Sequence, residues 1–220
     1  MIHHINALIL LAILTVNVYS QDYNLRKYCW IETATGENIH GKLEWYTNDF
    51  QTGSITIKNK SGKNVKIKMN IIVRLVTSDK EEAINNNLNE TITNIVKSNF
   101  QYAKEAEIMF YEKVRIKGEY KLGLLANPGF DDKLKVYLDP ETSSEESSFN
   151  ESVATTSTAH QLYVRKVNKE SAILITFLTY KREYDSMYDG CSHLLEIPKK
   201  ERKYKSFAQH IYTYNECDQE

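Results

Sequence analysis

The stretch Gly53–Met69, GSITIKNKSGKNVKIKM, decides how this chain is read. Ile55 and Ile57 alternate with Thr56 and Lys58, and Val65, Ile67 and Met69 alternate with Lys66 and Lys68. Strict period-two alternation is the mark of a strand with one face buried and one face in water. Ser61-Gly62 supplies the permissive turn between the two runs, so the stretch reads as a hairpin. Its wet face is rich in lysine. Lysines on an exposed strand face keep it soluble and discourage edge pairing; the competing reading is an anion-binding patch.

The same rhythm extends outward in both directions. KYCWIE (27–32) and HGKLEWY (40–46) precede the hairpin as strands, and NIIVRLV (70–76) follows it. Further on, IMFYEKVRIKGEYKLGLL (108–125) reads as two strands meeting near Lys117-Gly118-Glu119. DKLKVYLD (132–139) places Leu134, Val136 and Leu138 on one face. QLYVRKV (161–167) and SAILITF (171–177) close the series as a hairpin around NKES. Two segments break the pattern. Across 79–105, Ile84, Leu88, Ile92, Ile95 and Val96 fall at helical spacing, with Ser78 or Asp79 as cap and Glu81 and Glu82 in the first turn. That helix packs on a sheet or serves a partner. Residues 139–159 are rich in Ser, Thr and Glu and read as a solvated, disordered loop.

From Phe177 the period becomes helical. Phe177, Tyr180, Tyr184, Met187 and Tyr188 form one stripe, stopped by Gly190. Tyr204, Phe207, Ala208, Ile211 and Tyr212 form a second. The expected fold class is therefore α+β: an antiparallel β-rich body, a small curled sheet or barrel plus further hairpins, with a C-terminal helical hairpin. The organisation is a signal peptide (1–20), an N-terminal β unit (21–78), a helix or insertion (79–105), a second β region (106–176) and the helical end (177–220).

The leader carries the compartment. Ala7 to Val16 is almost wholly apolar and ends in Val18-Tyr19-Ser20, a small-x-small step before Gln21, as a secretory signal does. The run falls short of the about 20 residues a spanning helix needs, and no later segment is apolar enough, so no transmembrane segment is expected once the signal is cleaved. Formal net charge is −1, which argues against nucleic acid.

There are three cysteines. Cys191 follows the first C-terminal helix and Cys217 the last. In an exported chain thiols are oxidised, so a Cys191–Cys217 disulfide is expected, worth about 3–4 kcal/mol for a loop of this length. The alternatives are an unpaired buried Cys191, or a metal or nucleophilic thiol near His193 and His210. Cys-x-His supplies two ligands where structural zinc takes four. Cys29 reads as a small buried hydrophobe, although it is formally able to replace either partner.

No catalytic residue, metal or cofactor is assigned. His40, His160, His193 and His210 are scattered, and no G-x-S-x-G accompanies them. The nearest approach to a carboxylate pair is Glu44 and Asp49, with surface charge the plainer reading. Fifteen tyrosines fill strand faces and helix seams. Trp45-Tyr46 is the place where aromatics would form a sugar-stacking platform.

In order along the chain, NVYSQ (17–21), TGENIHGKLEW (35–45), VKIKMNIIVRL (65–75), FYEKVRIKGEYKLGLL (110–125), LYVRK (162–166), DGCSHLLEI (189–197) and the ending Tyr214-Asn215-x-Cys217 resemble uncharacterised exported proteins of Bacteroidota, especially flavobacteria. The resemblance implies an exported β-rich protein with a helical end, and it brings no activity. The function expected is a non-enzymatic interaction or structural component of the periplasm or cell envelope, with a cell-envelope protein or glycan as partner. The alternatives are a carbohydrate- or envelope-polymer-binding module using Trp45 and Tyr46, or an unrecognised hydrolase.

Overall fold

A computed structural model of the chain describes residues 23, 25–47, 49–85, 108–126, 132–138 and 161–217. The signal peptide expected at 1–20, most of the helix or insertion expected at 79–105 and the loop expected at 139–159 lie outside the described residues. The described strands are β1 (Tyr28–Thr33), β2 (Asn38–Tyr46), β3 (Ser54–Lys58), β4 (Asn64–Lys68), β5 (Ile72–Ser78), β6 (Ile108–Ile116), β7 (Glu119–Leu125), β8 (Leu134–Leu138), β9 (Leu162–Lys166) and β10 (Ile173–Ile175). They form a single sheet in the order β10-β9-β8-β7-β6-β5-β1-β2-β3-β4. The fold is α+β and β-rich, as the alternation predicts. It is one open sheet rather than a barrel with separate hairpins.

The seam between the two β regions is β5 on β6, paired antiparallel from Arg74↔Glu112 to Ser78↔Ile108. Local turns fix the rest. Asn59 Oδ1 accepts hydrogen bonds from the Ser61 and Lys63 amides at 3.1 and 3.0 Å, which closes the β3–β4 turn where Gly62 takes φ +80°. Between β6 and β7, Lys117 and Gly118 both adopt positive φ, the requirement of the two-residue turn that matches strand twist.

Both faces of the sheet are apolar, over different spans. One face carries Cys29, Ile31, Ile55, Ile57, Leu75, Tyr111, Leu122, Leu134 and Val164 and runs the whole width. The other carries Val76, Phe110, Val114, Ile116, Tyr137 and Tyr163 and spans β5 to β9. Ile84, on the single described turn of α1 (Glu81–Asn85), packs on that second face. Over β2–β4 the second face is exposed, which is why the hairpin alternates so cleanly while β6, β7 and β8 are buried nearly throughout. Cys29 is buried and free, and burial pushes its thiol up to about 12.

Both outer strands are guarded. β4 presents Lys66 and Lys68 to solvent. β10 is blunted differently: the Ala172 amide donates to the Arg115 carbonyl at 2.9 Å, and Thr179 Oγ1 donates to the Leu174 carbonyl at 3.1 Å. These contacts occupy groups that would otherwise invite another strand.

The helical end covers the first face. Thr176 caps α2 (Phe177–Met187) in a reciprocal box with Thr179. Tyr180, Tyr184, Met187 and Tyr188 point into the core, and Gly190 at φ +88° ends the run. Phe177, counted in that stripe from the sequence, is 55% exposed at the first helical position, with Lys181 over its ring. The single turn α3 (Ser192–Leu195) leads to α4 (Phe207–Glu216). Arg202 locks the connector: it donates to the Leu195 and Ile197 carbonyls at 2.8 Å each and lies 4.5 Å from the Tyr184 ring centroid. Asn215 pins α4 to β8 as a strand would, accepting from the Leu134 amide at 2.8 Å and donating to its carbonyl at 3.1 Å. Cys191 and Cys217 stand at disulfide distance, with Cα atoms 5.8 Å apart.

His210 is buried among Tyr180, Tyr184 and Tyr188, with a hydrogen bond between its Nδ1 and the Tyr180 hydroxyl. Burial holds its pKa below the ordinary 6.5. The folded state therefore resists a proton that the unfolded chain accepts. Stability from this residue is complete above about pH 6.5 and falls as pH drops toward the lowered folded value. The melting temperature is expected to decline between pH 7.5 and 5.5, and His210→Gln is expected to flatten that decline. An equal decline in the variant would remove His210 as its source.

Candidate functional site on the outer face of the N-terminal strands

Strand register assembles this site. Tyr28 pairs with Lys42, Lys42 with Lys58, and Lys58 with Asn64, giving a row across β1–β4. Trp30 pairs with His40 in the neighbouring row. On these strands Cys29, Ile31, Leu43, Ile55 and Ile57 belong to the core, so alternation sends Tyr28, Trp30, His40, Lys42, Thr56 and Lys58 to the other side.

A bulge completes the surface. Leu43 pairs with Ile57, but the next pair is Trp45 with Thr56, which leaves Glu44 as the extra residue. Glu44 and Trp45 therefore both face outward, and Trp45 joins the face that bears Lys42 and Lys58. Trp45 is 53% exposed. Tyr46 turns inward, packs against the core and donates its hydroxyl to the Tyr23 carbonyl at 2.5 Å. The Trp45-Tyr46 platform expected from sequence thus divides: Trp45 stands on the surface and Tyr46 anchors the strand beneath it.

Beside this face lies a cleft of about 210 Å³, lined by Tyr28, His40, Lys42, Lys58, Lys60 and Glu81. Gly41 forms part of its wall. A Cβ there would sit 2.4 Å from the Lys58 carbonyl oxygen, so only glycine lets β2 come this close to the end of β3. Electrostatically the site is lopsided. Lys42 and Lys58 are directly opposed, and like charges in that relation destabilise a sheet. Lys42 has a partial offset in Glu44 at 3.9 Å, with both side chains substantially exposed, an arrangement worth little in water.

The other residues weighed from sequence go elsewhere. Asp49 caps its own turn, with Oδ1 accepting from the Gln51 and Thr52 amides at 2.7 and 3.0 Å. Hydrogen bonds from Thr52 hold its carboxyl below the usual range. A carboxylate fixed that way is a turn residue. His210 sits in the tyrosine cluster and Cys191 faces Cys217. Among the described residues no group of three or more His, Cys, Asp or Glu gathers as metal ligands, and no helix is long and apolar enough to cross a membrane.

A second polar assembly, unsuspected from sequence, lies within the sheet. Glu112 is buried, and Lys135 Nζ donates to both its carboxylate oxygens at 2.9 Å. The Tyr137 hydroxyl donates to it at 2.9 Å, and Arg165 approaches to 3.2 Å. Arg165 also donates to the Tyr137 hydroxyl at 2.7 Å. Burial pulls the Lys135 ammonium below its ordinary pKa, and Glu112 opposes that shift. The carboxylate takes its donors from Lys135 and Tyr137 and an ion pair from Arg165, so this assembly ties β6 to β8 and β9.

Comparison of the chain with family models, curated proteins and solved structures gives no match.

Proposed function

We propose that the protein is exported and acts as a non-enzymatic interaction or structural component of the periplasm or cell envelope. The outer face of β1–β3 is the observation that carries this reading. It sets a half-exposed tryptophan beside two opposed lysines: large aromatics are enriched at contact surfaces, and a directly opposed like-charge pair works against the sheet. Two further points support the compartment. The Cys191–Cys217 geometry suits an oxidising environment, and the resemblance to exported Bacteroidota proteins points the same way. The exposure of Trp45 favours a more specific form of the reading, in which the partner is a carbohydrate or envelope polymer stacked on that ring.

Fractionation tests the proposal. The full chain, purified with its disulfide intact, is expected to cosediment with envelope material. Trp45→Ala should weaken that association by roughly thirtyfold, the effect of removing a contact worth about 2 kcal/mol. A protein that remains alone in the soluble fraction would overturn the reading.

A further inference from the structure

From the cleft beside β2 and β3, we infer a binding site for an acidic glycan, one bearing carboxylate or sulfate groups. The inference rests on the envelope-polymer reading and adds the ligand's charge and the residues that recognise it.

Three observations converge. The cleft has room for part of a sugar ring, and its lining sets His40, Lys42, Lys58 and Lys60 against one carboxylate, Glu81. Cross-strand pairing sets Lys42 opposite Lys58 on an open surface, with Glu44 3.9 Å from the Lys42 ammonium as a partial offset. A bound anion between the two lysines would turn mutual repulsion into shared attraction. Aromatic surface flanks the charge on both sides. Tyr28 forms one wall of the cleft, and Trp45 stands on the same face, paired with Thr56 two residues before Lys58.

An acidic polysaccharide matches this layout. Its ring faces are apolar and stack on Trp45 and Tyr28, while its acidic substituents reach the lysines as charge-assisted acceptors. Lysine's flexible ammonium suits an acid group whose position varies along a polymer. Single-stranded nucleic acid combines bases and phosphates in a related way, and it is the competing outcome of the test below. The glycan is the ligand we assign.

The test uses the full, disulfide-bonded chain and three probes in calorimetric titrations: oligogalacturonate, its methyl-esterified neutral form, and sulfated dextran oligosaccharide. Single-stranded DNA and inorganic phosphate serve as competitors. At least one acidic probe is expected to bind, with affinity falling as salt rises, and the neutral form should bind about tenfold more weakly or worse. The double variant Lys42→Gln/Lys58→Gln should lose about tenfold in affinity for the acidic probe. Its melting temperature should stay level or rise, because the like-charge pair has gone. That divergence separates a binding role from a structural one.

The inference is overturned if neither acidic probe binds, if the neutral form binds equally well, if the double variant binds as the parent does, or if DNA or phosphate alone binds as tightly. Envelope cosedimentation is scored separately. Should the double variant still cosediment fully while acidic probes fail, the acidic-glycan assignment falls and the envelope reading stands. Should the parent chain fail to cosediment, the envelope reading falls first.

Discussion

Glu112→Ala is expected to lower stability by about 3–5 kcal/mol, because it strands Lys135 as a buried charge without its partner. Lys135 is 2% exposed, so removing Glu112 leaves its ammonium buried without its counter-charge. Arg165 and Arg74, which also face Glu112, are 14% and 31% exposed at the side chain and keep partial access to solvent. The loss should therefore come chiefly from Lys135. Urea unfolding measures it directly. Glu112→Leu combined with Lys135→Met should recover much of the loss, since replacing a buried ion pair by apolar groups of similar size is often close to neutral. If Glu112→Ala changes stability by less than about 0.5 kcal/mol, as an ordinary surface substitution does, the buried network is not a stability determinant.

The second large effect belongs to the helical end. Cys191→Ala with Cys217→Ala should cost about 3–4 kcal/mol, the entropy of a loop closed across a separation of 26 residues. For a chain of this size that corresponds to a drop of roughly 10 °C in melting temperature. A reducing agent should produce the same drop in the parent and none in the variant. Cys29 makes the chemistry easy to read. Its thiol is buried and pushed up to about 12, so alkylation of the folded parent should label no cysteine, and labelling after unfolding without reduction should find one. Three labelled thiols under that condition would show the pair to be open.

How much of this was legible beforehand differs from one element to the next. The β3–β4 hairpin, the Lys117-Gly118 turn and the cysteine pair depend on residues close in sequence or on simple helix ends, and their signals survive without tertiary information. Lys135 did not read as buried. In DKLKVYLD, alternation puts Leu134, Val136 and Leu138 on one face and Lys135 on the other, but alternation does not say which face is wet. Here both are covered, and the partner that makes Lys135 tolerable lies on β6. Trp45 and Tyr46 show a related limit. As neighbours in a strand they must point apart, and the bulge at Glu44 decides which one faces outward. The Lys42–Lys58 opposition is set by the register of β2 on β3. An anion-binding patch was visible only as a rival explanation for a lysine-rich face.

The β5–β6 seam has a consequence for how this molecule can be cut, swapped or inherited. Sequence suggests two β regions with an insertion at 79–105 between them, an obvious place to draw a module boundary. Yet the strands on either side of that connection are hydrogen-bonded to each other over five residue pairs, and each lies in the interior of the sheet. Separated there, both halves would expose long apolar edges of complementary register, and each would be adhesive toward the other or toward its own copies. The two halves are thus indivisible neighbours, and any recombination that respects the fold has to carry them together.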